Sequence, residues 1–237
     1  MRSKSLGILL SFTLALAGAG PAPLAAAPRA PMAEPDWLGV VGLYPQPGSA
    51  EGQGERSVLL WLQTSRTAQD VARAQASGNP SLGCFVQDIH RPALAGAAPR
   101  AIELGDFPLT AAVLEQARQD FAPVLASLKG TFSRPRPFLL FPAVTPALPR
   151  PASPSYPSGN AALGVLYARS LGQWDPADRA AFETTGKLLG TDRVLGGVHY
   201  PSDAQAGQRL GAAFATWWLD QPGHLALIQT ACGEWNR

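Results

Sequence analysis

From Ser202 to Leu219 the chain reads SDAQAGQRLGAAFATWWL, and Ala206, Leu210, Ala213, Phe214, Trp217 and Trp218 recur at spacings of three, four, seven and eight. That period lays them along one face of an α-helix and leaves Gln205 and Arg209 off it. Such a face must pack against other elements, and no stretch of the chain shows the strict alternation of a half-buried strand. The partners are therefore helices, and the expected fold class is a single all-α domain. Other stretches agree. Residues 56–77 contain no Gly or Pro, and 109–128 are helical in pattern with a kink expected at Pro123. Further helix starts fall at Ser158, at Asp175 (Asp as N-cap, Pro176 in the first position, Asp178 in the first turn) and at Ser202, where Gln205 can close a capping box. Residues 78–108 mix Gly, Pro and short apolar pieces and read as a loop, or a lid with a short helix inside.

A chain of 237 residues is long enough for one domain with a full core, and a net charge of +2 does not suggest a nucleic-acid partner. Residues 1–27 read as a signal peptide: Arg2 and Lys4 precede an apolar stretch from Leu6 to Ala19, then small residues, with the cut expected between 19 and 27. That stretch is short for a membrane span, so the expectation is export across the inner membrane to the periplasm, without stable membrane insertion. Residues 28–55 read as an extended lead-in and 56–237 as the helical domain. Export would permit a disulfide between Cys84 and Cys232, but two separate buried thiols fit the sequence as well.

Three segments carry chemistry. In the first, Lys129 is followed after six residues by Arg136-Pro137, with Arg134 as a further guanidinium. Arg offers a planar fork to phosphate oxygens and Lys a compact charge. The second, Pro157-Ser158-Gly159-Asn160, opens a helix, and a helix start presents unpaired N–H groups to an anion. The third is Arg193, five residues, His199, three residues, Asp203. An Asp bonded to one imidazole nitrogen fixes the tautomer and leaves the other nitrogen as nucleophile or base.

Together these segments resemble the type 2 phosphatidic acid phosphatase superfamily, whose pattern is Lys-(six)-Arg-Pro, Pro-Ser-Gly-His and Ser-Arg-(five)-His-(three)-Asp. SYPSGNAA and LLGTDRVLGGVHYPSDAQAGQRLGAA are most similar to its secreted class A bacterial acid phosphatases. The resemblance implies a compact helical fold of the acid phosphatase and vanadium haloperoxidase type, and chemistry without metal or other cofactor. It implies that His199 takes the phosphoryl group as a phosphohistidine and that Asp203 orients it. Lys129, Arg136 and Arg193 would hold the phosphoryl oxygens, with Ser158 and the Gly159 N–H completing the cradle. The implied partner is a small phosphorylated substrate or inorganic phosphate; a homo-oligomer is left open.

Two positions depart from the pattern. Asn160 stands where the family has the His that protonates the leaving group, and Asn can only donate and accept hydrogen bonds. Positioned acid–base catalysis is worth about 10²–10⁴ in rate. The expectation is therefore a phosphohydrolase that favours good leaving groups. A phosphate-binding relative with impaired turnover and a vanadate-dependent haloperoxidase are the other readings. Asp192 replaces the family's Ser before Arg193 and is expected to face outward and pair with a base, or else to hold a proton as substitute acid. His90 and His224 are the remaining histidines that could replace the acid.

Overall fold

The helix that starts after Ser158 is buried on nearly every side, which a helix tolerates only at the centre of a bundle. This computed structural model describes residues 32–78, 81–86, 90–91 and 100–235, leaving aside the side chains of 84, 90, 91, 100 and 101. In chain order the helices are α1 Trp37–Val41, α2 Ala50–Ser65, α3 Ala68–Ala76, α4 Leu82–Val86, α5 Pro108–Phe132, α6 Pro137–Leu140, α7 Gly159–Trp174, α8 Arg179–Leu195, α9 Pro201–Leu219 and α10 Leu225–Trp235. The described residues are all-helical apart from a two-residue antiparallel ladder, His90–Arg91 with Arg100–Ala101.

Small residues let α7 lie against its neighbours at backbone distance. A Cβ on Gly164 would stand 2.5 Å from the carbonyl oxygen of Gly186 in α8. Gly207 and Gly211 of α9 abut the carbonyls of Ser158 and Ala162 in the same way. These contacts bind the starts of α7 and α9 together, and the backbone N–H of Ser158 donates to the carbonyl of Asp203 at 2.9 Å. The main core gathers Phe121, Leu166, Tyr167, Leu171, Phe182, Phe214 and Trp218 from α5, α7, α8 and α9. At the far end α10 closes on α5: the Glu234 carboxylate accepts the N–H groups of Leu109 and Thr110 at 2.9 and 2.8 Å, serving as a cap supplied from another helix.

Several local expectations are corrected. The uninterrupted helix over 56–77 is instead two, because Thr67 and Asp70 form a capping box that starts α3 afresh. Of the extended lead-in, residues 37–41 are helical and α2 already begins at Ala50. α8 starts at Arg179 with Asp178 as its N-cap, three residues later than expected from Asp175. In α9 the first-turn partner is Asp203, not Gln205: its carboxylate accepts the N–H of Tyr200 at 2.9 Å. Inside 78–108 the short helix is α4; most of the expected lid lies outside the described residues, as do residues 1–27. Cys232 is a free, half-buried thiol, and the side chain of Cys84 is not described.

Candidate active site

Lys129 in the last turn of α5, Arg136 just before α6, Gly159 and Asn160 at the start of α7, Arg193 near the end of α8 and His199 before α9 all line one cavity of about 720 Å³. Backbone carbonyls hold the cations in place. Lys129 Nζ donates to Pro154 O at 2.6 Å. Arg136 donates from Nε to Ser153 O at 2.8 Å and from Nη1 to Val198 O at 2.7 Å. Arg193 Nη2 donates to Ala74 O and to Ser77 Oγ, both at the end of α3. Its Nε is buried without a partner, a donor left for an acceptor in the cavity. Burial and the nearby Arg136 push Lys129 down to about 7; burial alone pushes Arg136 down to about 10 and also lowers Arg193. An anion in the cavity would relieve this, because opposite charge favours the cationic forms.

His199 is buried between two partners that settle its tautomer. Arg136 Nη1 can only donate, so His199 Nε2, 2.9 Å away, must accept. Nδ1 therefore carries the proton and donates to Asp203 Oδ2 at 3.1 Å. Burial holds the imidazole down at about 4, with Arg136 and Lys129 lowering it further and Asp203 opposing them. The result is a neutral ring at acidic pH that lines the cavity, with the Nε2 lone pair accepting from Arg136. Asp203 is fully buried; burial alone would raise its carboxyl, but hydrogen bonds and the charges of His199 and Arg134 more than offset this and lower it.

The family model described as the PAP2 superfamily matches residues 117–225, the span from the middle of α5 past the end of α9 that supplies these side chains. Over that span the chain is similar to the PAP2 superfamily. The chain is also 37% identical over 92 residues to non-specific acid phosphatases of Salmonella typhimurium and Salmonella typhi, covering 37% of this chain. It thus spans about a third, 36%, of the length of the curated relatives it matches. A solved structure with the same fold is a transmembrane PAP2-type phosphatidylglycerolphosphate phosphatase from Bacillus subtilis, at TM-score 0.52 and 15% identity, covering 76% of this chain and 89% of that one. Among the described residues here no helix is long and apolar enough to cross a membrane.

The structure also places the residues whose roles the motifs left uncertain. Ser158 is fully buried and caps α7, its hydroxyl accepting the N–H of Ala161 at 3.4 Å; it does not line the cavity. Asn160 lines the cavity and donates from Nδ2 to the carbonyl of Gly78 at 3.2 Å. Asp192 pairs with a base as expected, but it does not face outward. It is buried against α3, accepting from Arg73 Nε at 3.0 Å and from Ser77 Oγ at 2.9 Å. The expectation fails because α3 packs over this face of α8 and brings its own partners for the carboxylate. His224 stacks on Trp218 and is not a cavity residue, and the side chain of His90 is not described.

Arg134 belongs to the dyad and not to the cradle. Its guanidinium carbon sits over the Tyr200 ring, 3.7 Å from the centroid, and the group donates to Asp203 Oδ1 at 2.6 Å and to Glu55 Oε2 at 2.7 Å. Ser155 Oγ donates to Asp203 Oδ2 at 2.5 Å. Glu55 Oε1 in turn accepts the N–H of Ser202, at the start of α9. Glu55 and Ser155 carried no signal in the sequence; Arg134 was visible only as an extra cation.

Proposed function

We propose that this chain is an exported phosphohydrolase that removes phosphoryl groups from small phosphate compounds through a phosphohistidine at His199. The observation that carries the reading is His199, its Nδ1 held by Asp203 and its Nε2 accepting from Arg136, in one cavity with three anchored cations, so that a bound phosphoryl group can take the place of the Arg136 contact at Nε2. Phosphoryl transfer asks mainly for positioning and charge stabilisation, which such a cradle supplies. Lys129, Arg136 and Arg193 bind the phosphoryl oxygens, with the free N–H groups at the start of α7 beside them. Nε2 forms the bond to phosphorus as the bond to the leaving oxygen breaks, and that oxygen departs with the electron pair. Water then attacks the phosphohistidine, releasing inorganic phosphate and restoring the lone pair. Asn160 has no proton to give, so groups that leave as stable anions react best and alkyl alcohols worst. The periplasmic setting rests on the leader-like residues 1–27.

Hydrolysis of p-nitrophenyl phosphate tests this. Activity lost in His199→Ala supports it; bound phosphate with no His199-dependent release would instead make the chain a phosphate-binding relative. In Asn160→His, turnover of an alkyl phosphate rises by up to about 10²–10⁴, and the dependence of rate on leaving-group pKa becomes shallower. An unchanged dependence would show that Asn160 does not stand in for an acid.

A further inference from the structure

We propose that Arg150 makes the cavity selective for phosphate compounds that carry a second anionic group beside the one transferred, with phosphoanhydrides as the substrate class. This deepens the phosphohydrolase reading and rests on it. Among the described residues, four cations line the cavity, Lys129, Arg136, Arg193 and Arg150, and no Asp or Glu does. The first three are anchored by backbone carbonyls around His199. The fourth is outside every motif. Arg150 lies between α6 and α7, flanked by Pro149 and Pro151, which restrict the backbone there and also line the cavity. Its guanidinium rests over the ring of Phe138, 5.3 Å from the centroid, and has no ion pair among the described residues. Its donors thus remain available to a ligand.

Three cations match a phosphoryl dianion; a fourth, with no carboxylate opposing it, leaves charge for another anion. Asn160 points to the same class. A site in which Asn stands in place of the acid works best on a leaving group that departs as an anion, and a guanidinium stabilises an anion without transferring a proton. In a phosphoanhydride the bond from phosphorus to the bridging oxygen breaks as His199 Nε2 bonds to phosphorus. The bridging oxygen leaves with the electron pair as part of a phosphate ion, which Arg150 binds through paired N–H donors.

The test compares inorganic pyrophosphate with p-nitrophenyl phosphate as substrates of the full chain, without added metal. In Arg150→Ala the ratio of kcat/KM for pyrophosphate to that for p-nitrophenyl phosphate falls by about tenfold or more, and Arg150→Lys recovers part of it. A ratio unchanged from wild type would overturn the proposal. A binding arm separates its failure from failure of the phosphohydrolase reading. In a His199→Ala background, calorimetry finds pyrophosphate bound about tenfold or more tighter than phosphate, an advantage that Arg150→Ala removes. Equal affinity for the two ligands with Arg150 present would overturn the proposal, whether or not the wild-type chain turns over.

Discussion

At the scale of single residues, the proposed reaction gives two side chains control of the working pH. In it the neutral form of His199 attacks, and burial keeps that ring neutral down to about 4. The charged form of Lys129 would bind the substrate, and burial beside Arg136 lets that charge go at about 7. The signs therefore differ: activity is lost as pH falls through the first value and lost again as it rises through the second. The pH profile of kcat/KM, which reports groups in the free enzyme, should be a bell with its maximum between those limbs. In Lys129→Arg the basic limb moves up, because a guanidinium keeps its proton; a basic limb that stays in place would assign it to another group. The residues behind this behaviour were legible in the sequence because their types and spacings state chemistry directly. Arg193-(five)-His199-(three)-Asp203 puts a base, its orienting carboxylate and a cation on the approach to one helix. The support for that dyad was not legible. Arg134 and Glu55 are 79 positions apart, and nothing in either neighbourhood marks the pair before the fold brings them to 2.7 Å.

At the scale of elements, the site depends on helices that carry none of the three motifs. α2 reaches the start of α9 through Glu55, whose carboxylate bridges Arg134 and the Ser202 N–H. Residues 28–55 read as an extended lead-in because they are rich in Pro, Gly and Ala, and Gly disfavours helix. Tertiary contact outweighs that propensity: Gly52 abuts the carbonyl of Gln46, and Ser49 caps the helix from outside. Removing one partner of a buried ion pair leaves the other unpaired, at a cost of about 3–5 kcal/mol. Glu55→Ala should lose stability of that size in urea unfolding although Glu55 does not line the cavity; a loss within experimental error would mean that Arg134 finds another partner. α3 plays a comparable part through Asp192, Arg193 and Asn160, all of which bond its C-terminal end. Its independent start at Thr67 was hidden because a capping Thr in a run without Gly or Pro resembles helix interior.

At the scale of the whole molecule, the PAP2 span supplies the cradle, and the helices before it lock the dyad from behind. The all-α class was legible because the apolar period of 202–219 reports a buried helical face directly. The closeness of α7 to α8 and α9 was not, because a glycine in a sequence does not say which backbone it admits; here Gly164, Gly207 and Gly211 do. The arrangement makes one claim above the others, that His199 carries the phosphoryl group between substrate and water. Rapid quenching of the full chain with a radiolabelled aryl phosphate under alkaline conditions, followed by peptide mapping, measures this directly. The account predicts a label on His199 that is absent from His199→Ala and less abundant in Asn160→His. Measurable turnover with no label on His199 at any quench time would contradict it.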